Sequence, residues 1–250
     1  MTKDMMKECL AELGVGEGDL VFFHSSLRSI GHVEGGADAV LDAFLETLGN
    51  SGTLVLPASC IYDWENLDRE AIEKAWDMQA TPTFTGLIPE TLRKRPGTVR
   101  SDNPTHSVTA VGRCASEITK DHKSAHGGEW AANRPRWASD GAFGDNSPWD
   151  KLYLANAKYM FIGVDFAFCT MLHHVQVLLL EKHLRKTDPH APWPNFDFRR
   201  MGQKFEELGL VKIGKIGGAV TRLISTRSLV DTAIRVLGEE GSLSKNPPAD

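Results

Sequence analysis

Two short apolar runs, separated by one loop and one helical segment, constrain this chain more than any other feature. Asp19-Leu-Val-Phe-Phe-His24 is apolar at nearly every position, the pattern of a strand covered on both faces. Gly52-Thr-Leu-Val-Leu-Pro57 has the same character. Between them lie a loop rich in small residues, 25–36, and a helix-periodic stretch, 37–48, that stops at Gly49. The order strand, loop, helix, strand argues for a parallel-sheet α/β core.

Further elements follow the same logic. Residues 3–13 read as an amphipathic helix closed by Gly14 and Gly16, and 58–82 as a partly helical excursion. Residues 84–94 read as a helix in which Pro89 marks a break or a new start. Short strands are expected at 99–101 and 107–111, a helix at 115–122, and a long surface loop at 123–141. A buried strand is expected within 152–164 and helices over 170–184 and 198–208. Residues 211–225 form the pattern of an antiparallel hairpin. A last helix spans 228–237, with Ser228 as its N-cap and Asp231 completing a capping box.

With 250 residues, no internal repeat and no linker, the chain reads as a single domain over 1–250, or two intimate subdomains, with a tail at 242–250. The net charge of −5 is dispersed, so no basic stripe supports nucleic-acid binding. Four widely spaced cysteines without a CxxC pair read as reduced thiols. The first residues lack the apolar core of a signal peptide, and no run is long enough to cross a bilayer. A cytoplasmic protein without membrane contact is the expectation. Oligomeric state stays open, a homodimer included.

The chemistry concentrates around His173. Tyr159–Asp165 reads as a buried strand running into a polar turn, after which a helix opens with His173 in its first turn. The positive end of a helix disfavours imidazolium and so keeps the ring neutral, the state a general base requires. His24-Ser-Ser-Leu-Arg-Ser-Ile-Gly31 ends the first core strand, where ligands of open α/β sheets gather. It is neither a GxGxxG fingerprint nor a P-loop. Three rival readings stand beside a general base. Cys169, four residues before His173, would form a thiol–imidazole dyad. His122, His126 and Glu129, or His173 with His174, would hold a metal. A fold that binds a ligand without turnover is the third. Trp130, Trp137, Trp149 and Trp193 either stack on a sugar or pack a lid.

Read in order, several segments together resemble the aminoglycoside 3-N-acetyltransferase family. They are His24-Ser-Ser-Leu-Arg-Ser-Ile-Gly31 with Gly35-Gly-Ala37, then Gly52-Thr-Leu-Val-Leu-Pro57 and Thr85-Gly-Leu-Ile-Pro-Glu90. Pro96-Gly-Thr-Val-Arg-Ser101, Pro104-Thr-His-Ser-Val108 and Phe143-Gly-Asp-Asn-Ser-Pro-Trp149 follow. Leu152-Tyr153 with Phe161-Ile-Gly-Val164, Thr170-Met-Leu-His-His174, and Gly214-Lys-Ile-Gly-Gly-Ala219 with Arg222-Leu-Ile224 close the series.

The resemblance implies a three-layer α/β/α sandwich with a mixed, largely parallel sheet and the C-terminal antiparallel hairpin. It implies acetyl-CoA as co-substrate and acetyl transfer to an amine, in the named enzymes the 3-amino group of 2-deoxystreptamine; no metal is expected, because His122 and His126 run into Gly127-Gly128, where a helix should end. His173 matches the family's catalytic base, and His24 lies in the active centre. The pantetheine arm would run along His24, Ser25, Ser26, Leu27, Ser29 and Gly31 and along Arg100, Ser107 and Val108. Backbone N–H groups near 25–27 or 107–108 would face the developing oxyanion.

Two departures from the family pattern bear on substrate. Many members carry Glu three residues after the histidine, where this chain has Gln176. Gln can orient the ring by a hydrogen bond but cannot stabilise a cation by charge. The usual Ser-x-His-Pro reads Ser101-Asp-Asn-Pro104. Catalytic roles are therefore expected for His173, Gln176 and His24. Asp63, Asp145, Asp165 and Gln176 are expected to line an acceptor site for a cationic amine. The alternatives are another amine or amino sugar, or an inactive CoA-binding relative.

Overall fold

The computed structural model describes residues 1–60, 69–126 and 141–240. Among these residues, one sheet joins seven strands: β1 (Leu20–Ser25), β2 (Thr53–Pro57), β3 (Val99–Arg100), β4 (Val108–Gly112), β5 (Lys158–Ile162), β6 (Lys212–Ile216) and β7 (Ala219–Ser225). Their order is β3-β4-β2-β1-β5-β7-β6. β1 runs parallel to β2 and β5, while the other four pairings are antiparallel.

The sheet is thus mixed and mostly antiparallel, which corrects the largely parallel sheet expected above. Doubly buried runs identify its parallel centre, and connection lengths decide the rest. Residues 101–107 are too few for a crossover, which needs about a dozen residues or more, so β3 and β4 must pair antiparallel. Gly217 and Gly218 close the β6–β7 hairpin in the same way, as expected.

Helices cover both faces. They are α1 (Lys3–Glu12), α2 (Leu27–Ile30), α3 (Gly36–Leu48), α4 (Arg69–Ala75), α5 (Leu87–Arg93), α6 (Ala115–Thr119), α7 (Pro148–Leu154), α8 (Met171–Lys182), α9 (Phe198–Glu207) and α10 (Thr226–Glu240). Strand alternation supplies two cores. Val21, Phe23, Leu54, Leu56, Met160 and Ile162 meet α1, α3 and α5. Phe22, Val55, Tyr159 and Phe161 meet α6 to α10. Each fully buried aromatic or aliphatic side chain contributes roughly 1.5–3 kcal/mol. No helix among the described residues is long and apolar enough to cross a membrane.

Three boundaries differ from the sequence reading, each for a local reason. Leu152 belongs to α7, capped by Ser147 and opened by Pro148, and the strand starts only at Lys158 after Asn156 turns the chain at φ 54°. Pro89 sits in the first turn of α5, where its missing N–H costs no helical bond. The last helix starts at Thr226, with the Ser225 hydroxyl accepting the Ser228 N–H at 3.1 Å, and Asp231 instead accepts the Tyr153 hydroxyl at 2.7 Å.

Two glycines hold the region after β1 in place. Gly163 ends β5 at φ 69°, and a Cβ there would lie 2.3 Å from that of Ser29, whose hydroxyl donates to the Gly163 carbonyl. Gly217 turns the hairpin at φ 57°, where a Cβ would lie 2.4 Å from the Ile30 carbonyl oxygen. The hairpin tip therefore seats directly on α2, and Gly218 donates its N–H to Ile30 at 3.0 Å.

Candidate active site

A cavity of about 570 Å³ opens at the carboxyl ends of β1 and β2, beside the N-terminus of α8. Its wall carries three imidazoles, those of His24, His106 and His173. Hydroxyls of Ser25, Ser59, Thr85 and Thr170 alternate there with the rings of Phe84, Phe168 and Phe198.

His173 is the third residue of α8 and half-buried. Its Nδ1 lies 2.7 Å from Gln176 Oε1, and Gln176 Nε2 donates to the Pro194 carbonyl at 2.8 Å. A carbonyl only accepts, so the amide of Gln176 has one orientation and its oxygen must accept from His173. The imidazole is thereby fixed with its proton on Nδ1 and its lone pair on Nε2. Burial pushes the His173 pKa down to about 4, opposed by the Gln176 hydrogen bond and reinforced by His106. The ring packs between Phe143 and Phe198, at centroid distances of 5.0 and 4.9 Å.

His24 ends β1 on the same side of the sheet. Its Nε2 shares hydrogen bonds with the Tyr159 hydroxyl at 2.8 Å and Thr170 Oγ1 at 3.2 Å. Burial lowers its pKa to about 3. Both imidazoles are therefore neutral at physiological pH.

Other expected site residues have different occupations. Ser25 lines the cavity. Ser26 instead caps α2, accepting from Ser29 N at 3.3 Å with its Oγ 2.9 Å from Ser29 Oγ, and its N–H donates to Ile162. Leu27 packs toward the first core, and Gly31 ends α2 at φ 92°. Arg100 is engaged by the protein itself. Its guanidinium donates to Ser107 Oγ, to the carbonyls of Ala58 and Thr81, and to Cys60 Sγ, so it braces the cavity wall from behind. Ser107 and Val108 are fully buried, and the Val108 N–H donates to Ser101 Oγ at 2.9 Å. The N–H groups of Ser26 and Val108 are thus spent and unavailable to an oxyanion.

The expected acidic rim is not assembled by the described residues. Asp145 faces Lys182 at 3.7 Å, and Asp165 pairs with Arg199 at 3.0 Å while capping its own turn. Neither lines the cavity. Gln176 is 3 % exposed, behind His173, so it contacts the imidazole and not the cavity space. Asp63, Glu129, Trp130 and Trp137, with the 242–250 tail, lie outside the described residues. Trp149 and Trp193 are buried core side chains.

The structure also sorts the rival readings. Burial pushes the Cys169 thiol up to about 12, which makes it a packing group and not a thiolate nucleophile. His122 uses both ring nitrogens on protein, 2.8 Å from Ser101 Oγ and 2.8 Å from the Ala142 carbonyl. His174 is fully buried, with Nδ1 2.7 Å from the Phe143 carbonyl. His106 lines the cavity and was not among the expected site residues. Its signal was the histidine within Pro104-Thr-His-Ser-Val108, but spacing alone could not separate a cavity wall from a surface.

A neutral, tautomer-fixed imidazole at a helix start, facing a cavity at the strand ends, is suited to taking a proton from a nucleophile. Residues 22–238 match the family model described as aminoglycoside 3-N-acetyltransferase, and the chain belongs to that family. It is 29% identical to the SPbeta prophage-derived aminoglycoside N(3')-acetyltransferase-like protein YokD of Bacillus subtilis, over 93% of this chain and 90% of that protein. It is 26% identical to aminoglycoside N(3)-acetyltransferase VII of Streptomyces paromomycinus, over 99% of this chain and 95% of that protein. Among solved structures it resembles AAC-IIIb, binary with CoASH, at a TM-score of 0.74 and 25% identity, covering 99% of each chain.

Proposed function

We propose that this chain transfers the acetyl group of acetyl-CoA to an amino group of an aminoglycoside, the 3-amino group of its 2-deoxystreptamine ring, with His173 as general base. The observation that carries this reading is the Pro194–Gln176–His173 chain, which fixes the Nε2 lone pair on a neutral ring beside the cavity.

The described wall suits the arm of acetyl-CoA, a neutral chain of amides: it presents hydroxyls and aromatic rings. Acetyl-CoA supplies an acyl group activated as a thioester. His173 Nε2 takes the proton of the attacking amine and returns it to the departing sulfur, a role worth about 10²–10⁴-fold. Gln176 holds the ring at the angle this needs. His24, braced by Tyr159, shapes the floor where the thioester would lie. Holding both reactants in one cavity supplies much of the remaining acceleration.

One observation favours a second reading, a less cationic amine or amino sugar as acceptor. Among the described residues no carboxylate lines the cavity, and Gln176 replaces a charge with an amide. Thiol release from acetyl-CoA, measured with aminoglycosides, simple amino sugars and amine-free controls, separates the two. Turnover on a deoxystreptamine drug supports the first reading, and turnover on amino sugars alone the second. CoA binding without turnover on any amine would overturn both.

A further inference from the structure

His173 and His174 are neighbours on α8 with different surroundings. Successive helical side chains stand about 100° apart around the axis, so His173 reaches the cavity while His174 turns toward α7. His174 is fully buried, and apart from Gln176 the other buried residues of this helix are apolar. An imidazole costs more in such a place than a leucine unless it is hydrogen-bonded. Among the described residues its hydrogen bond goes to one acceptor, the Phe143 carbonyl, 2.7 Å from Nδ1. A carbonyl only accepts, so Nδ1 carries a proton. That proton is present in this neutral tautomer and in imidazolium alike, so the bond survives protonation of the ring.

The other end of that bond lies directly behind the candidate base. Phe143 is 1% exposed, and its ring packs on His173 at a centroid distance of 5.0 Å and on His106 at 4.8 Å. The backbone that carries it is a turn, in which the Gly144 N–H donates to the Gly141 carbonyl at 2.9 Å. The preceding carbonyl is held in the same way. His122, also fully buried, donates from Nε2 to the Ala142 carbonyl at 2.8 Å. Two successive carbonyls of one turn are thus gripped by buried imidazoles from different parts of the chain.

We infer that His174 is a positioning residue for the base: by holding the Phe143 carbonyl it keeps the Phe143 ring against His173, so that this side of the imidazole stays dry. Only the catalytic consequence rests on the acetyl-transfer reading. Burial is the main cause that holds His173 down at about 4, in keeping with a shielded ring. Were Phe143 to loosen, water would reach the imidazole and its pKa would climb toward the ordinary value. Asp150 and Tyr153 of α7 face the His174 ring, with Lys182 of α8 and Asp145 acting from farther off. Around His173 the titratable groups are His106, which also packs on Phe143, and His24, Cys60 and Cys169 of the cavity wall, with the Arg100 guanidinium against Cys60.

The test is an NMR titration of the His173 imidazole in the intact chain. His174→Leu removes the donor and should raise the titration midpoint by about one pH unit or more. His174→Asn loses the same titratable ring but keeps an N–H donor near the Nδ1 position. It should stay close to wild type, which separates the hydrogen bond from the charge. Phe143→Leu keeps the carbonyl and its partner but shrinks the ring, and it should raise the midpoint as well. If His174→Leu does not fold, His174→Gln, whose longer amide reaches past the Nδ1 position, takes its place. An unmoved midpoint in the folded variant without the donor, or in Phe143→Leu, would overturn the proposal, as would an equal rise in His174→Asn. In turnover the acid limb of kcat should move with the midpoint, while KM for acetyl-CoA stays within about twofold. A midpoint that moves in a chain without turnover on any amine would overturn the acetyl-transfer reading and leave the positioning role standing.

Discussion

The two faces of the central sheet are made by the same three strands and do different work. Val21 and Phe23, Leu54 and Leu56, and Met160 and Ile162 point into a wholly apolar layer under α1, α3 and α5. One residue out of step, Phe22, Val55 and Tyr159 point the other way, toward His24, Gln176 and α8. The first face can be packed for density alone. The second must also keep polar groups oriented, so His24 and His173 are each tied to hydrogen-bonding partners within the fold. Stability and chemistry are thereby separated by the pleat of a strand.

That division can be broken most directly at His173. His173→Ala should cut turnover by about 10²–10⁴-fold with acetyl-CoA affinity nearly unchanged. Steady-state kinetics beside a CoA titration check it, and parallel loss of both would make His173 a structural residue. Phe44→Ala probes the opposite face. Phe44 is fully buried, with its ring 4.6 Å from that of Phe23. Denaturant unfolding should show a loss of about 3–5 kcal/mol, with activity per folded molecule retained. If activity fell out of proportion to the folded fraction, the faces would be coupled.

Acid sharpens the comparison further, because the buried imidazoles of His24, His173 and His174, all shifted downward, belong to the second face. His24 and His173 titrate at about 3 and 4 in the fold and near 6.5 when unfolded. Below pH 6.5 the unfolded chain therefore binds more protons, and stability falls as the pH drops toward 4. The melting temperature should decline between pH 7 and 5, and His24→Gln should flatten that decline. An unchanged slope would place the acid sensitivity elsewhere, for example at His174, whose buried ring is also shifted downward.

Sequence patterns reveal the two faces unequally. β1, β2, the β6–β7 hairpin and the placement of His173 in the first turn of α8 were legible because burial and turn chemistry are local. Strand direction was not, since apolar runs mark burial and not polarity of the chain. The same limit applies to Arg100 and Val108: a residue type says what a group can bind, and only packing says which partner reaches it first. Arg100 met carbonyls of 58 and 81, and Val108 met Ser101. The reverse held for His106, whose place on the cavity wall is set by packing against Phe143 and by the turn that Asn103 anchors, neither of which its own spacing reports.

The smallest expected effect is the most specific to this chain. Gln176→Glu keeps an oxygen acceptor for His173 Nδ1–H but loses the donor to Pro194 and adds a charge beside the ring. A carboxylate favours imidazolium, so the His173 pKa should rise from about 4 toward its ordinary value. The base is then protonated over more of the acid range, and the acid limb of the kcat profile should move to higher pH while the plateau above it changes little. On cationic acceptors the added charge should lower KM, more for aminoglycosides than for neutral amino sugars. An unmoved acid limb would mean that Gln176 does not act through His173. A shifted limb without any gain on cationic amines would mean that Gln176 sets the base alone and that acceptor charge is read elsewhere in the cavity.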